Sequence, residues 1–143
     1  GLAATQKKNA VVLDRSWSTA YFLKGFALID VGRAPEAIEW FNKALGLAPM
    51  NAEFLAERGE WHKSRKDWDK AYADFKQSST AAEFTEGNAK AFEKSRALRG
   101  MAFARIEQGK LDEASKLLEQ ALKRNPNVAK VLQEMEYLKS LRQ

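Results

Sequence analysis

The 143-residue sequence predicts an all-α fold, a stack of antiparallel helix pairs. Three observations carry that prediction. The stretch from Glu36 to Asn51, "EAIEWFNKALGLAPMN", returns as "EASKLLEQALKRNPNV" from Glu113 to Val128. Apolar residues recur at the three-and-four spacing of a helical face through both copies. Only three prolines and eight glycines are present, too few turn formers for a fold of many short strands.

The repeat has a fixed step. Gly25 and Gly59 are 34 positions apart, as are Ala37 and Ala71, and Phe41 and Phe75. From Ala71 to Ala114 the step is 43, nine more than 34, after which Ala114, Leu118, Ala121 and Pro126 restore the register of Ala37, Phe41, Ala44 and Pro49. Recurrence at a fixed step of this size marks a solenoid or array, in which each unit buries its apolar face only against its neighbours.

Taken in order, residues 1–17 read as the end of a preceding partial repeat, with Ala10 at the small-residue position and a helix stop at Asp14. The chain opens on Gly1 and not Met, so it reads as a piece of a longer protein, with Gly1 a cloning scar. Residues 18–51 form the first full unit. Tyr21, Gly25 and Leu28 share one helical face, Gly32 ends that helix, and Pro35 falls where a second helix begins. Ala37, Ile38, Phe41, Ala44 and Leu45 then make a second stripe that Pro49 stops. Gly25 and Gly59 lie mid-helix at a cost of about 1 kcal/mol against alanine, which calls for a close approach of two helices.

Residues 52–94 form the second unit, with Ser78 and Glu83 where the other copies have Ala and Pro. Its nine extra residues fall within 82–96, and the reading is a longer second helix, a turn over Thr85–Asn88 and an early start to the next helix. Residues 95–128 form the third unit. Residues 129–143 read as a C-terminal capping helix with Val131, Leu132, Met135, Leu138 and Leu141 on one side.

These residues resemble the tetratricopeptide repeat, a 34-residue helix–turn–helix unit, from about Ser18 to Val128. Tyr21, Leu55 and Leu98 stand where that family's pattern opens on tryptophan, and Ala102 stands in line with Gly25 and Gly59. The resemblance implies a right-handed α–α superhelix. It also implies a non-catalytic scaffold whose first helices line a concave groove for a peptide or amphipathic segment. Carried over residue by residue, that groove holds Thr19, Phe22, Phe26 and Ile29, then Glu53, Ala56, Glu60 and Lys63, then Arg96, Arg99, Phe103 and Ile106. Self-association through the same face and service as an accessory domain of a larger, enzymatic protein are the alternatives.

Members of the family that hold acidic chaperone tails clamp the terminal carboxylates with Lys, Asn and Arg. The matching places here carry Phe22, Phe26, Glu57, Arg96 and Gly100. Only Arg96 suits a carboxylate and Glu57 repels one, so the expectation is that such tails are not partners. No cysteine is present, which excludes disulfides and thiolate chemistry. The single histidine, His62, stands in line with Leu28 and lacks partners for a metal site, so no metal, cofactor or catalytic group is expected. Trp68 reads as packing between repeats. Trp61 takes the place of Ala27 and Ala104 and calls for local splaying or exposure. A net charge of +5, interspersed along the chain, argues against nucleic acid as a partner. No window reaches eighteen uncharged apolar residues, so no membrane span is expected; a soluble protein, cytoplasmic or periplasmic, is the reading, with the compartment left unknown because a targeting segment could lie outside this piece.

Overall fold

The computed structural model describes residues 2–124 and 128–143, without the side chains of 3–14 and 128. Seven helices and no strand are found among the described residues: α1 (Leu2–Asp30), α2 (Ala34–Leu47), α3 (Ala52–Ser64), α4 (Trp68–Ala82), α5 (Ala89–Glu107), α6 (Leu111–Arg124) and α7 (Val128–Leu141). Consecutive helices pack in pairs, α1 on α2, α3 on α4 and α5 on α6. The first helices of the second and third pairs, α3 and α5, touch along the inner layer, and α7 lies on α6. No described helix is long and apolar enough to cross a membrane.

The turn inside each pair is the same device used three times. The amide of Arg33 donates to the Leu28 carbonyl at 2.7 Å, Asp67 to His62 at 3.0 Å, and Lys110 to Arg105 at 2.8 Å. Each of these bonds reaches back five residues over a left-handed residue, the wrap that satisfies orphan carbonyls at a helix end. Gly32 and Gly109 take that conformation with φ of 81° and 76°; in the second pair Lys66 takes it with φ of 59°. Helix starts are cut as sharply. Pro35 sits in the first turn of α2, while Asn51 and Asp67 accept bonds from the amides of Phe54 and Lys70.

Close approach explains the mid-helix glycines. A Cβ on Gly25 would lie 2.7 Å from the Phe41 ring, and one on Gly59 3.1 Å from the Phe75 ring. Gly100 does the same between units: its Cβ would meet Phe75 at 2.4 Å. Two core clusters result. One gathers Phe22, Phe41, Leu45, Phe54 and Leu55; the other gathers Phe75, Leu98, Met101, Leu118, Val131 and Leu138. Ser78, which departs from the alanines of the other copies, is buried and donates to the Ala52 carbonyl at 2.8 Å, so its hydroxyl costs little.

Three expectations are corrected. Helix α1 runs unbroken through Asp14 to Asp30, because Asp14, Arg15, Ser16 and Trp17 include neither glycine nor proline to stop it. Helix α4 spans 15 residues against 14 for α2, so it gains a single residue and not further turns; the rest form the turn over 83–88 and the early start of the 19-residue α5. On α7 only Val131, Met135 and Leu138 pack inward, and Leu132 and Leu141 are exposed. The side chain of Ala10, the stop at Pro126 and Gly1 lie outside what is described.

Candidate functional site

Three adjoining cavities are lined mainly by residues of α3, α5 and α7. The first, of about 190 Å³, lies between α3 and α5 and is walled by Ala52, Ala56, Ala89 and Phe92, with Glu53, Glu93 and Arg96 at its edge. The second, of about 180 Å³, shares Phe92 and Arg96 with it and adds Glu60, Lys63, Arg99, Phe103, Lys130 and Glu134. The third, of about 240 Å³, shares Lys63, Phe103 and Glu134 with the second and is floored by Ala102, Ile106 and Leu118, with Tyr137 on its wall.

This arrangement sorts the sequence-derived groove residues into two groups. Glu53, Ala56, Glu60, Lys63, Arg96, Arg99, Phe103 and Ile106 line the three cavities. Thr19, Phe22, Phe26 and Ile29 on α1 line none of these three cavities. Phe22 is only 7% exposed, stacked at 4.5 Å on Phe54 and tilted against Phe26 and Phe41. It belongs to the core. Phe26 and Ile29 remain exposed beside it, as does Thr19.

Among the lining residues that sequence reasoning missed are Phe92, Lys130, Gln133, Glu134 and Tyr137. Phe92 is 51% exposed and belongs to two cavities. It sits in the lengthened start of α5, which has no counterpart in the other repeats to align against. The other four come from α7, so the capping helix is also a wall of the groove.

Electrostatics on this face are set by pairs between helices. Arg96 donates to Glu57 at 2.6 Å, and Arg99 donates through Nε to both oxygens of Glu134 at 3.2 and 3.3 Å. Burial pushes the Glu134 carboxyl above the usual carboxylate range, with Arg99 opposing that shift. The Lys63 ammonium lies 4.1 Å over the Phe103 ring. Trp68 also packs on Phe103, with ring centroids 5.9 Å apart.

His62 lies behind the groove in a polar network. Arg58 donates to both oxygens of Asp74 at 2.8 Å and to Asn42 at 3.0 Å, and His62 Nε2 stands 3.6 Å from Asp74. Burial holds the His62 imidazole below its ordinary pKa of 6.5; Asp74 and Asp67 oppose the shift, and Arg58 and Lys70 add to it. Trp61 is half-buried, its indole N–H donating to the Ala34 carbonyl of α2 at 2.7 Å.

Two family models, each described as tetratricopeptide repeat, match residues 18–51 and 95–128. No curated protein matches the chain. Among solved structures, the Arabidopsis OM64 TPR domain is similar at a TM-score of 0.76 and 17% identity, covering 89% of this chain and 98% of that one. The first TPR of Spaghetti (RPAP3) bound to HSP90 peptide SRMEEVD is similar at 0.75 and 21%, covering 89% and 94%. The second TPR domain of human RPAP3, in complex with HSP70 peptide SGPTIEEVD, is similar at 0.71 and 20%, covering 90% and 98%.

These likenesses overturn the expectation that set chaperone tails aside as partners, since domains of this same fold hold such peptides. Glu57 and Arg96 are paired with each other at 2.6 Å, so neither stands as a free charge. Residues 18–51 and 95–128 are thus tetratricopeptide repeats by their family models, and the all-helical stack shares the fold of solved TPR domains.

Proposed function

We propose that this chain is a non-catalytic scaffold that receives a segment of a partner protein in the concave face between α3, α5 and α7. The observation that carries the reading is the row of three adjoining cavities across the inner helices. Each is smaller than the roughly 300 Å³ at which small-molecule sites begin, a size suited to side chains taken one at a time. Exposed Phe92 and half-buried Phe103 supply apolar surface that is desolvated only when the groove is filled. The RPAP3 domains of the same fold, which hold HSP90 and HSP70 peptides, support a peptide as the guest.

The test is to pan a random peptide library against the immobilised chain, with SRMEEVD and SGPTIEEVD included as defined members. Phe92→Ser and Phe103→Ser serve as controls; both side chains are solvent-accessible, so these variants keep their helicity. Paired substitution of Phe22 and Phe26 is the wrong probe, because Phe22 is core. Peptides captured by the parent and lost by both variants support the proposal. An absence of captured peptides, or capture indifferent to both variants, rejects it. Exposed Phe26 and Ile29 favour a second reading, self-association, which a monomeric mass in light scattering excludes.

A further inference from the structure

We infer that the aromatic face of α1 and α2 in the first unit docks an amphipathic helix of a partner protein, one with acidic residues beside its apolar stripe. This surface is separate from the groove: Trp17, Tyr21, Lys24 and Trp40 line none of the three cavities. The three units, set in register, show that such a face is built to be covered. Tyr21 stands in line with Leu55 and Leu98, Lys24 with Arg58 and Met101, and Trp40 with Asp74 and Leu117. In the later units Leu55, Leu98, Met101 and Asp74 are buried. The unit before supplies the cover. Leu55 shares a core with Ala44 and Leu45 of α2, and Leu98 shares one with Phe75 of α4. Arg58 reaches over the same joint and donates to Asn42 of α2 at 3.0 Å. In the first unit Tyr21 and Trp40 are only half-buried, and Trp17 and Lys24 are exposed. Helix α1 runs without a break from Leu2, so it does not turn back over the face.

The chemistry of the face selects the kind of helix. Trp17, Tyr21 and Trp40 form a continuous aromatic row, with successive ring centroids 5.9 Å apart. The ammonium groups of Lys24 and Lys43 lie 3.7 and 4.3 Å from the centre of the Trp40 ring. Lys43 also pairs with Glu39 at 3.5 Å, whereas Lys24 meets no carboxylate among the described residues. An aromatic row bordered by lysine complements an apolar stripe bordered by Asp or Glu. The guest's acid would do for Lys24 what Asn42 does for Arg58 one unit on. Two copies meeting here about a two-fold axis would set lysine against lysine, which favours a partner of opposite charge over a second copy.

The experiment pans a displayed library of amphipathic peptides of about 18 residues, long enough for marginal helicity alone, against the immobilised chain. Selected peptides are expected to carry Leu, Ile, Met or Phe at three-and-four spacing with Asp or Glu alongside. Trp17→Ser and the double variant Lys24→Glu/Lys43→Glu, all at exposed positions, should each weaken a selected peptide at least about tenfold. Phe92→Ser, in the groove, should leave its affinity unchanged. Exchanging the peptide's acids for lysine should abolish binding to the parent and restore binding to the double variant, a reversal that damage to the fold would not produce. Selected peptides without acids, or peptides lost in Phe92→Ser and kept in Trp17→Ser, overturn this inference and leave the groove reading standing. A parent that is dimeric in light scattering and made monomeric by Trp17→Ser assigns the face to a second copy and overturns it. Capture of a single-stranded oligonucleotide that Trp17→Ser abolishes overturns it likewise, as does an absence of captured helices, whatever the groove takes.

Discussion

Lys66 adopts a left-handed backbone conformation that its counterparts Gly32 and Gly109 adopt without a steric penalty. Its side chain is exposed. Replacing it removes the clash between Cβ and the following carbonyl, about 1 kcal/mol, so Lys66→Gly is expected to raise the melting temperature by roughly 3 °C for a chain of this size. A second residue-scale prediction concerns His62. Its folded pKa lies below 6.5, so just under that pH the unfolded chain takes up the proton first. Stability contributed by the neutral imidazole is complete above 6.5 and declines as pH falls toward the folded value. Urea midpoints for the parent should drop between pH 7.5 and pH 5 by more than those of His62→Gln. Equal slopes would show that the network does not feel this proton.

At the scale of the element, glycine marks two opposite situations. Gly46 lies in α2, and a Cβ there would meet nothing within 4 Å, whereas a Cβ on Gly100 in α5 would collide with Phe75 at 2.4 Å. Gly46→Ala should therefore stabilise by about 1 kcal/mol. Gly100→Ala should destabilise by about 1–3 kcal/mol, the cost of overpacking. Thermal or urea denaturation of the two variants checks both signs. The helices themselves are largely legible in the sequence, because Ala37, Phe41, Ala44 and their later copies repeat the pattern that packing requires. What escapes is set by contacts across repeats. Phe22 is sealed because Phe54, one unit on, is large enough to stack on it; the residue aligned with Phe54 in the third unit is Ala97, so register alone does not announce the contact. Arg96 and Arg99 find carboxylates 39 and 35 residues away, beyond the reach of any local pattern. Register puts a stop at Asp14, and intrinsic helix preference prevails over it.

For the whole molecule, the second core cluster runs without a break from α3 to α7. Val131 is fully buried in it. Its truncation, Val131→Ala, is expected to cost roughly 2 kcal/mol by loss of buried methyl groups. It is also expected to weaken peptide capture, since Lys130 and Glu134 ride on the same helix. A variant that loses stability in a urea titration yet captures peptide with full affinity would separate the two roles.

Helix α7 closes the core with one side and walls the groove with the other. A guest that grips Lys130 or Tyr137 thereby becomes part of the seal on the hydrophobic interior. Occupancy should register as slower hydrogen exchange concentrated in the final fourteen-residue helix, with little change in α1 or α2, and with no change of shape at all.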